Sequence, residues 1–284
     1  MKKIGFIDYF LDEWHANNYP LWIKDSRYGN RLQVFGAWAM QDKTGGLTTR
    51  QWCEKFGVQA MPSQEALIEA CDCLVILSPD NPEYHEELSK LALQSGKPTY
   101  IDKTFATSYG SARRMFDLAA QYQTPMYSTS SLRYARELEW FAKEGISRSE
   151  VSFVSARGPG VFLNYSIHQL EMIVTVMGPG ACRALALNNS SAPVVVYEYA
   201  DGRSCVLNHL AWSGFSLAAQ TKDGRGCALD MTTDFWPPFI DALLNFFETG
   251  KPAVLQDDTC AAIAMYEAGL AACKAPGQWI KIPG

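Results

Sequence analysis

Cys73-Leu74-Val75-Ile76-Leu77-Ser78-Pro79, a helical stretch opening at Pro82 or Glu83 and running to Gln94, then Gly96-Lys97-Pro98-Thr99-Tyr100-Ile101-Asp102-Lys103-Thr104 is the run that decides the fold class. Cys73 to Leu77 shows no polar alternation, as expected of a strand buried on both faces. Ser95-Gly96-Lys97-Pro98 stops the helix, because glycine takes the left-handed cap and proline cannot extend it. Thr99 to Asp102 is the next short strand. Strand, helix and strand at this spacing imply a right-handed crossover between parallel strands.

The same alternation extends in both directions. Upstream, Lys3 to Ile7 and Val34 to Ala39 are apolar strand segments. Thr48 to Phe56 is a helix with Thr48 or Thr49 as cap and Gly57 as breaker, and Ser63 caps another through Ala70. Downstream, Thr107 to Tyr122 is a helix and Pro125 to Ser128 closes the series. Ligands of such sheets sit beyond the carboxyl ends of the strands, which draws attention to Asp8 to Pro20, Ser78 to His85 and Asp102 to Thr104.

The pattern changes near residue 130. Ser131 to Ala142 and about Asn164 to Met177 read as helices, and Val151 to Ala156 as a strand. Further strands are expected at Arg183 to Leu187, Val194 to Tyr199, Cys205 to Ala211, Ser216 to Thr221 and Cys227 to Met231. Asp201-Gly202 and Asp223-Gly224 are hairpin signals between four of them. Helices near Pro238 to Phe247 and Asp257 to Cys273 end the chain. The expectation is an α/β protein of two domains: a parallel-sheet domain over residues 1–130, and over 131–284 an α+β domain with an open, mostly antiparallel sheet. There is no internal repeat or low-complexity linker.

Composition narrows the function classes. The chain has 284 residues, 48% of them apolar and 19% charged, with a formal net charge of -5. That excess of acid argues against a general nucleic-acid or anionic-membrane binder. No apolar run reaches a membrane span, and Asp8 and Asp12 interrupt the first apolar stretch, so no secretion signal is expected. Eight scattered cysteines without a CxxC pair, and only four histidines, predict free thiols and no metal site. The expected compartment is the cytoplasm.

Several residues are candidates for chemistry. Lys103, just after a buried strand, can donate to a substrate oxygen or pass a proton; the plain alternative is a surface lysine in a loop. On a helix, Asn164, His168 and Glu171 share one face, so His168 can act as a general acid or base, or simply be a packed histidine satisfied by Glu171. Arg133, after the first domain, can reach an anionic group or stay solvated. His15 lies in a stretch dense in amides, carboxylates and aromatics, Asp12-Glu13-Trp14-His15-Ala16-Asn17-Asn18-Tyr19-Pro20, which is a ligand-binding loop or a helix start. His85 can line the crevice or pack at a helix start.

The order Ser78-Pro79, His85, Gly96-Lys97-Pro98, Asp102-Lys103-Thr104 resembles the Gfo/Idh/MocA family, the glucose-fructose oxidoreductase and inositol dehydrogenase group. The resemblance implies a Rossmann-like first domain and an NAD- or NADP-dependent oxidoreductase. Such an enzyme moves hydride to or from a hydroxyl-bearing carbon of a sugar, cyclitol or related polyol. Lys103 takes the place of the lysine in the family's E-K-P motif, with Asp102 for the glutamate and Thr104 for the proline. Asn164, Ser166, His168 and Glu171 match the family's D-x-G-x-H-x-x-D pattern, with His168 retained. The resemblance makes Lys103 and His168 catalytic and Asn164 a substrate contact; Glu171, Arg133 and His15 are the further candidate substrate contacts. It implies a homo-oligomer. Cofactor-facing positions are Asp8, Tyr9 and Phe10 after the first strand, Met40 after the second, then Ser78, Pro79, His85 and Asp102. The family's G-x-G-x-x-G fingerprint is absent. Asp8 and Phe10 stand at its first two glycines, and Asp12 and Glu13 add negative charge where the pyrophosphate belongs. The alternative reading is therefore a ligand-binding or accessory protein of the same fold that has lost ordinary dinucleotide binding.

Overall fold

The computed structural model describes residues 1–189 and 191–284, which divide into two compact units. The first comprises Met1–Ala106, Ser111–Thr129 and Trp236–Leu255. The second comprises Thr107–Gly110, Ser130–Phe235 and Gln256–Gly284.

The first unit is a parallel sheet. Its strands are β1 (Lys2–Asp8), β2 (Leu32–Ala39), β3 (Gln59–Ala60), β4 (Cys73–Ile76), β5 (Thr99–Ile101) and β6 (Met126–Tyr127), in the order β3-β2-β1-β4-β5-β6. β1 and β4 are central and almost wholly buried, which explains their unbroken apolar sequence. The helices are α1 (Trp14–Asp25), α2 (Thr49–Phe56), α3 (Gln64–Ala70), α4 (His85–Leu93) and α5 (Tyr109–Gln121). α2 starts with a capping box between Thr48 and Gln51 and ends at Gly57, whose φ of +67° is the left-handed geometry expected there. The stretch from Asp8 to Pro20 is a short loop followed by a helix start, despite Asn17, Asn18 and a Pro20 that has no amide hydrogen to donate.

The second unit contains α6 (Glu139–Lys143), β7 (Val151–Gly158), α7 (Phe162–Met177), β8 (Ala181–Ala186), β9 (Val194–Tyr199), β10 (Ser204–His209), β11 (Ser216–Thr221) and β12 (Gly226–Asp230). After α8 (Trp236–Thr249), which packs in the first unit, come α9 (Gln256–Lys274) and β13 (Ile280–Lys281). The sheet order is β12-β11-β7-β10-β9-β8-β13, with every pair antiparallel except β7 and β10. Strands β9 and β10 bury every second residue, so one face is core and the other is open. Both Asp-Gly pairs turn hairpins, Gly202 and Gly224 at φ of +87° and +88°.

The helix expected over Ser131 to Ala142 is instead two single 3-10 turns, Ser131–Tyr134 and Arg136–Leu138, before α6. Ala135 is extended between them, and side chains on either side are tied elsewhere. Arg133 is drawn to Glu171, and Glu137 accepts from the amides and hydroxyls of Thr232 and Thr233.

Among the described residues all eight cysteines are free, no helix is long and apolar enough to cross a membrane, and no cluster of His, Cys, Asp and Glu could hold a metal ion.

Candidate active site

The carboxyl edge of the parallel sheet gathers Asp8, Glu13, His15, Asp102 and Lys103, each at least nine-tenths buried. Asp8 ends β1. Its Oδ1 accepts from the Tyr9 amide at 2.7 Å, while the buried Oδ2 has no partner among the described residues. Burial pushes this carboxyl well above its ordinary range, and the charges of Glu13 and Asp102 push it the same way. Glu13 is the N-cap of α1 and accepts from the amides of His15 (2.6 Å) and Ala16. Burial pushes its carboxyl up to about 7 against the pull of His15 and those two amides.

Asp12 does not join them. Its carboxylate accepts from Asn17 Nδ2 and the Leu47 amide, both at 3.0 Å, and these bonds hold it below its ordinary value. Asn17 in turn accepts from Trp52 Nε1 at 2.9 Å. The expectation that Asp12 faces a pyrophosphate is thereby corrected: it clasps the loop before α2.

Asp102 is the hub of the cluster. His15 Nδ1 sits on its Oδ2, and the Lys103 amide donates to Oδ1 at 2.8 Å. The Tyr100 hydroxyl lies 3.2 Å from the same Oδ1 and 3.0 Å from the Thr129 carbonyl. Burial alone would raise Asp102, but the charge and hydrogen bond of His15, with Lys103, outweigh it and hold the carboxyl below its ordinary value. Tyr19, one turn along α1, stacks on His15 with ring centroids 5.2 Å apart. Lys103 is 8% exposed and its Nζ donates to the Pro79 carbonyl at 3.1 Å. The Lys103–Thr104 peptide bond is cis.

The other expected cofactor positions are mostly engaged within the protein. Tyr9 stacks on Tyr84 at 4.2 Å, and Lys43 lies over Phe10. The Met40 amide donates to the Asp8 carbonyl, and Asp42 accepts from the Thr49 amide at the start of α2. Ser78, at a φ of +71°, donates its hydroxyl to the Asn81 carbonyl. His85 is fully buried, with Nδ1 on the Phe105 carbonyl at 3.1 Å and Nε2 on that of Leu77 at 2.6 Å. Burial favours the neutral ring, which donates to one of these carbonyls, and the other nitrogen is closed in by the second, so His85 packs between two loops.

A pyrophosphate on a helix N-terminus needs free amides and a backbone bare of side chains. Between Gly5 and Gly29 there is no glycine, and Glu13 already occupies the amides of His15 and Ala16. These residues do not fit a dinucleotide held in that manner.

In the second unit, α7 carries the remaining candidates. His168, 9% exposed, has Nδ1 2.6 Å from the Ser130 hydroxyl. The rings of Tyr165 and Phe215 stand 5.6 and 5.5 Å from its own. Asn164 is half-buried and its side chain makes no hydrogen bond among the described residues. The expected pairing of Glu171 with His168 is replaced by a buried ion pair with Arg133, which also donates to Thr175 Oγ1 at 2.8 Å. Arg133 lies 3.6 Å from Asp258, which takes a two-pronged bond from Arg148 at 2.9 and 2.7 Å. Burial raises the Glu171 carboxyl, opposed by the Arg133 guanidinium. A guanidinium is the natural counterion here because its fork satisfies several acceptors at once, which an imidazole cannot do. Arg133 is thus a buried structural cation rather than a solvated one.

Residues 30–129 match a family model described as an oxidoreductase family with an NAD-binding Rossmann fold, GFO_IDH_MocA. That similarity lies almost wholly within the first unit. No curated protein matches the chain in sequence. Among solved structures, the myo-inositol 2-dehydrogenase of Lactobacillus plantarum is 15% identical with a TM-score of 0.77, covering 99% of each chain. The WlbA dehydrogenase of Bordetella pertussis, in complex with NADH and UDP-GlcNAcA, is 13% identical with a TM-score of 0.79, covering 100% of this chain and 98% of that one. The aldose-aldose oxidoreductase of Caulobacter crescentus, complexed with glycerol, is 13% identical with a TM-score of 0.74, covering 99% and 100%. At these identities the shared property is the fold of both units. The Gfo/Idh/MocA match contains His85 and Lys103 but begins after the β1–α1 loop.

Sequence reasoning missed Glu13 as a cap, Tyr19 as a neighbour of His15, and Ser130 as the partner of His168. The first two carried a signal: Glu13 stands immediately before the helical His15–Tyr19 spacing of four. Ser130 carried none, because nothing local links it to a helix thirty-eight residues away.

Proposed function

We propose that this protein is an oxidoreductase of the Gfo/Idh/MocA type acting on a hydroxyl-bearing carbon of a sugar, cyclitol or related polyol, with Lys103 and His168 handling the hydroxyl proton. Lys103 carries the reading. It stands at the carboxyl end of β5, inside the matched segment, with its ammonium anchored on a single carbonyl and 8% of its surface open. An ammonium has three donors, so two remain for a substrate oxygen. The fold-mates described above, which include an inositol dehydrogenase and an aldose oxidoreductase, support the substrate class. NAD or NADP is the family's hydride carrier, but no step is assigned to it, because the β1–α1 loop does not present its usual cradle. Association into a homo-oligomer belongs to the same proposal.

One observation favours a second reading, a polyol-binding protein without dinucleotide chemistry. The anion site at the start of α1 is filled by the protein's own Glu13. Titration with NADH and with NADPH, followed through the fluorescence of the eight tryptophans, separates the two. Saturable binding, with turnover of a polyol that Lys103→Ala abolishes, supports the first. Polyol binding without either nucleotide supports the second and refutes the first.

A further inference from the structure

Three histidines of this chain show the difference between packing and presentation. His85 has both ring nitrogens on carbonyls, and His209 has Nδ1 3.4 Å from Gln169 Oε1 and Nε2 2.9 Å from the Gly160 carbonyl. In each, a neutral ring donates its one N–H to an acceptor and its other nitrogen is closed in by a second oxygen. His15 is equally enclosed, at 7% exposure, yet only Nδ1 is engaged, by Asp102 and the more distant Tyr19 hydroxyl. Nε2 has no hydrogen-bond partner among the described residues. Asp102 accepts from Nδ1, so it sets the tautomer that leaves Nε2 with a free lone pair.

The surroundings of His15 are those of a binding wall. Trp14, 52% exposed, stands 4.9 Å from Trp236 and 5.4 Å from Trp22, and Trp236 meets the His15 ring edge-on at 5.6 Å. Indole faces set beside convergent polar groups suit the apolar faces and hydroxyls of a carbohydrate. Lys103 on the same sheet edge is a donor only, so a hydroxyl that is to lose its proton there needs an acceptor.

We propose that His15, positioned by Asp102, is the proton acceptor of the parallel-sheet unit and binds a hydroxyl of a sugar or cyclitol lying against Trp14 and Trp236. In the step, the ligand O–H bond breaks and an Nε2–H bond forms. The electron pair stays on the oxygen, and the imidazolium is balanced by the Asp102 carboxylate. The inference rests on the proposed function only for the class of ligand.

The test is acylation of the native protein by diethyl pyrocarbonate near neutral pH, mapped residue by residue, with myo-inositol and glucose as protecting probes. An unprotonated nitrogen not closed in by a neighbouring oxygen is the one that reacts, so His15 is expected to be modified about tenfold faster than His85 and His209. Asp102→Asn is expected to slow it about fivefold, since the carboxylate orients and polarises the ring. Nitrogen-15 spectra of the wild-type histidine rings give an independent readout should that variant misfold: His15 is expected with hydrogen on Nδ1 and none on Nε2. A rate no faster than that of His85 and His209, a rate unchanged in Asp102→Asn, or the opposite tautomer would each overturn the dyad. Protection by either probe supports the ligand class. Polyol turnover without protection of His15 overturns the ligand assignment while sparing the proposed function. A dependence on Asp102 with neither turnover nor protection fails the proposed function and leaves the dyad standing.

Discussion

Replacing Glu13 by serine is the sharpest perturbation the structure offers. Serine is itself a preferred N-cap, so α1 keeps a side-chain acceptor and stability should change by no more than about 1 kcal/mol. What is lost is a carboxylate seated on the amides of His15 and Ala16, where a dinucleotide pyrophosphate would otherwise dock. Two unit charges ~4 Å apart at an effective dielectric of ~20 repel by about 4 kcal/mol before screening. Even a third of that, about 1.4 kcal/mol, is a tenfold change in affinity. Glu13→Ser is therefore expected to bind NADH at least about tenfold more tightly than wild type, measured by tryptophan fluorescence or calorimetry. The pH dependence carries an independent sign. The Glu13 carboxyl is pushed up to about 7, so lowering the pH through that value neutralises it. Wild-type affinity should rise as the pH falls, and the serine variant should not follow it. Asp12→Asn is the control: its carboxylate is spent on Asn17 and the Leu47 amide, so nucleotide affinity should stay level. Low-micromolar binding of NADH by the wild type, or a Glu13→Ser variant that binds no better, would refute the reasoning.

Lys103→Ala should lower turnover of any polyol substrate by about 100-fold, the usual scale for a lost acid-base group, with little change in melting temperature. Glu171→Gln breaks a buried ion pair and leaves Arg133 only the more distant Asp258, so unfolding should become easier by about 3 kcal/mol, the low end for a broken buried pair. Because His168 Nδ1 is held by Ser130 and not by Glu171, the pH profile of turnover should survive that change; a displaced profile would return Glu171 to the mechanism. Glu13 is raised from 4.5 to about 7 on folding, so the stability it contributes is complete below pH 4.5 and is lost as the pH rises through 7. Denaturant melts of Glu13→Gln should lack a decline of about 3 kcal/mol that the wild type shows across that window.

The parallel sheet was legible because its central strands are buried on both faces. Cys73 to Ile76 has no polar residue to confuse the period, and Gly57 and Gly96 mark helix ends by a backbone geometry that side chains resist. The Asp-Gly hairpins of the second unit were legible for the same local reason. The 131–142 segment was not. Its helical pattern is real, but Glu137 is captured by Thr232 and Thr233 and Arg133 by Glu171, partners far along the chain that win over local propensity.

The candidate site was legible by residue type more than by role. Asp8 stood out as an acid after an apolar strand, and Glu13 and His15 lay in a stretch dense in amides, carboxylates and aromatics; once buried, such groups need specific partners. Sequence spacing placed Asp12 and Glu13 side by side and gave both the same part, a negative charge facing a nucleotide. The structure separates them: one residue apart, Asp12 turns out to clasp a loop and Glu13 turns in to cap a helix. Likewise Asp102, read as a substitute for a cofactor-side glutamate, is instead the carboxylate that three donors converge on. The pattern among these groups follows from charge balance. Asp102 is held below its ordinary value by its bond to His15 and by Lys103, whereas burial outweighs the hydrogen bonds of Asp8 and Glu13 and pushes both upward. Of the three acids, only Asp102 contacts the imidazole of His15; Glu13 is spent on the amides of His15 and Ala16, and Asp8 on that of Tyr9. His15 thus keeps Nε2 without a hydrogen-bond partner among the described residues, and two raised carboxyls beside Asp102 are the reason the proposed ligand of this edge is a neutral, hydroxyl-bearing one.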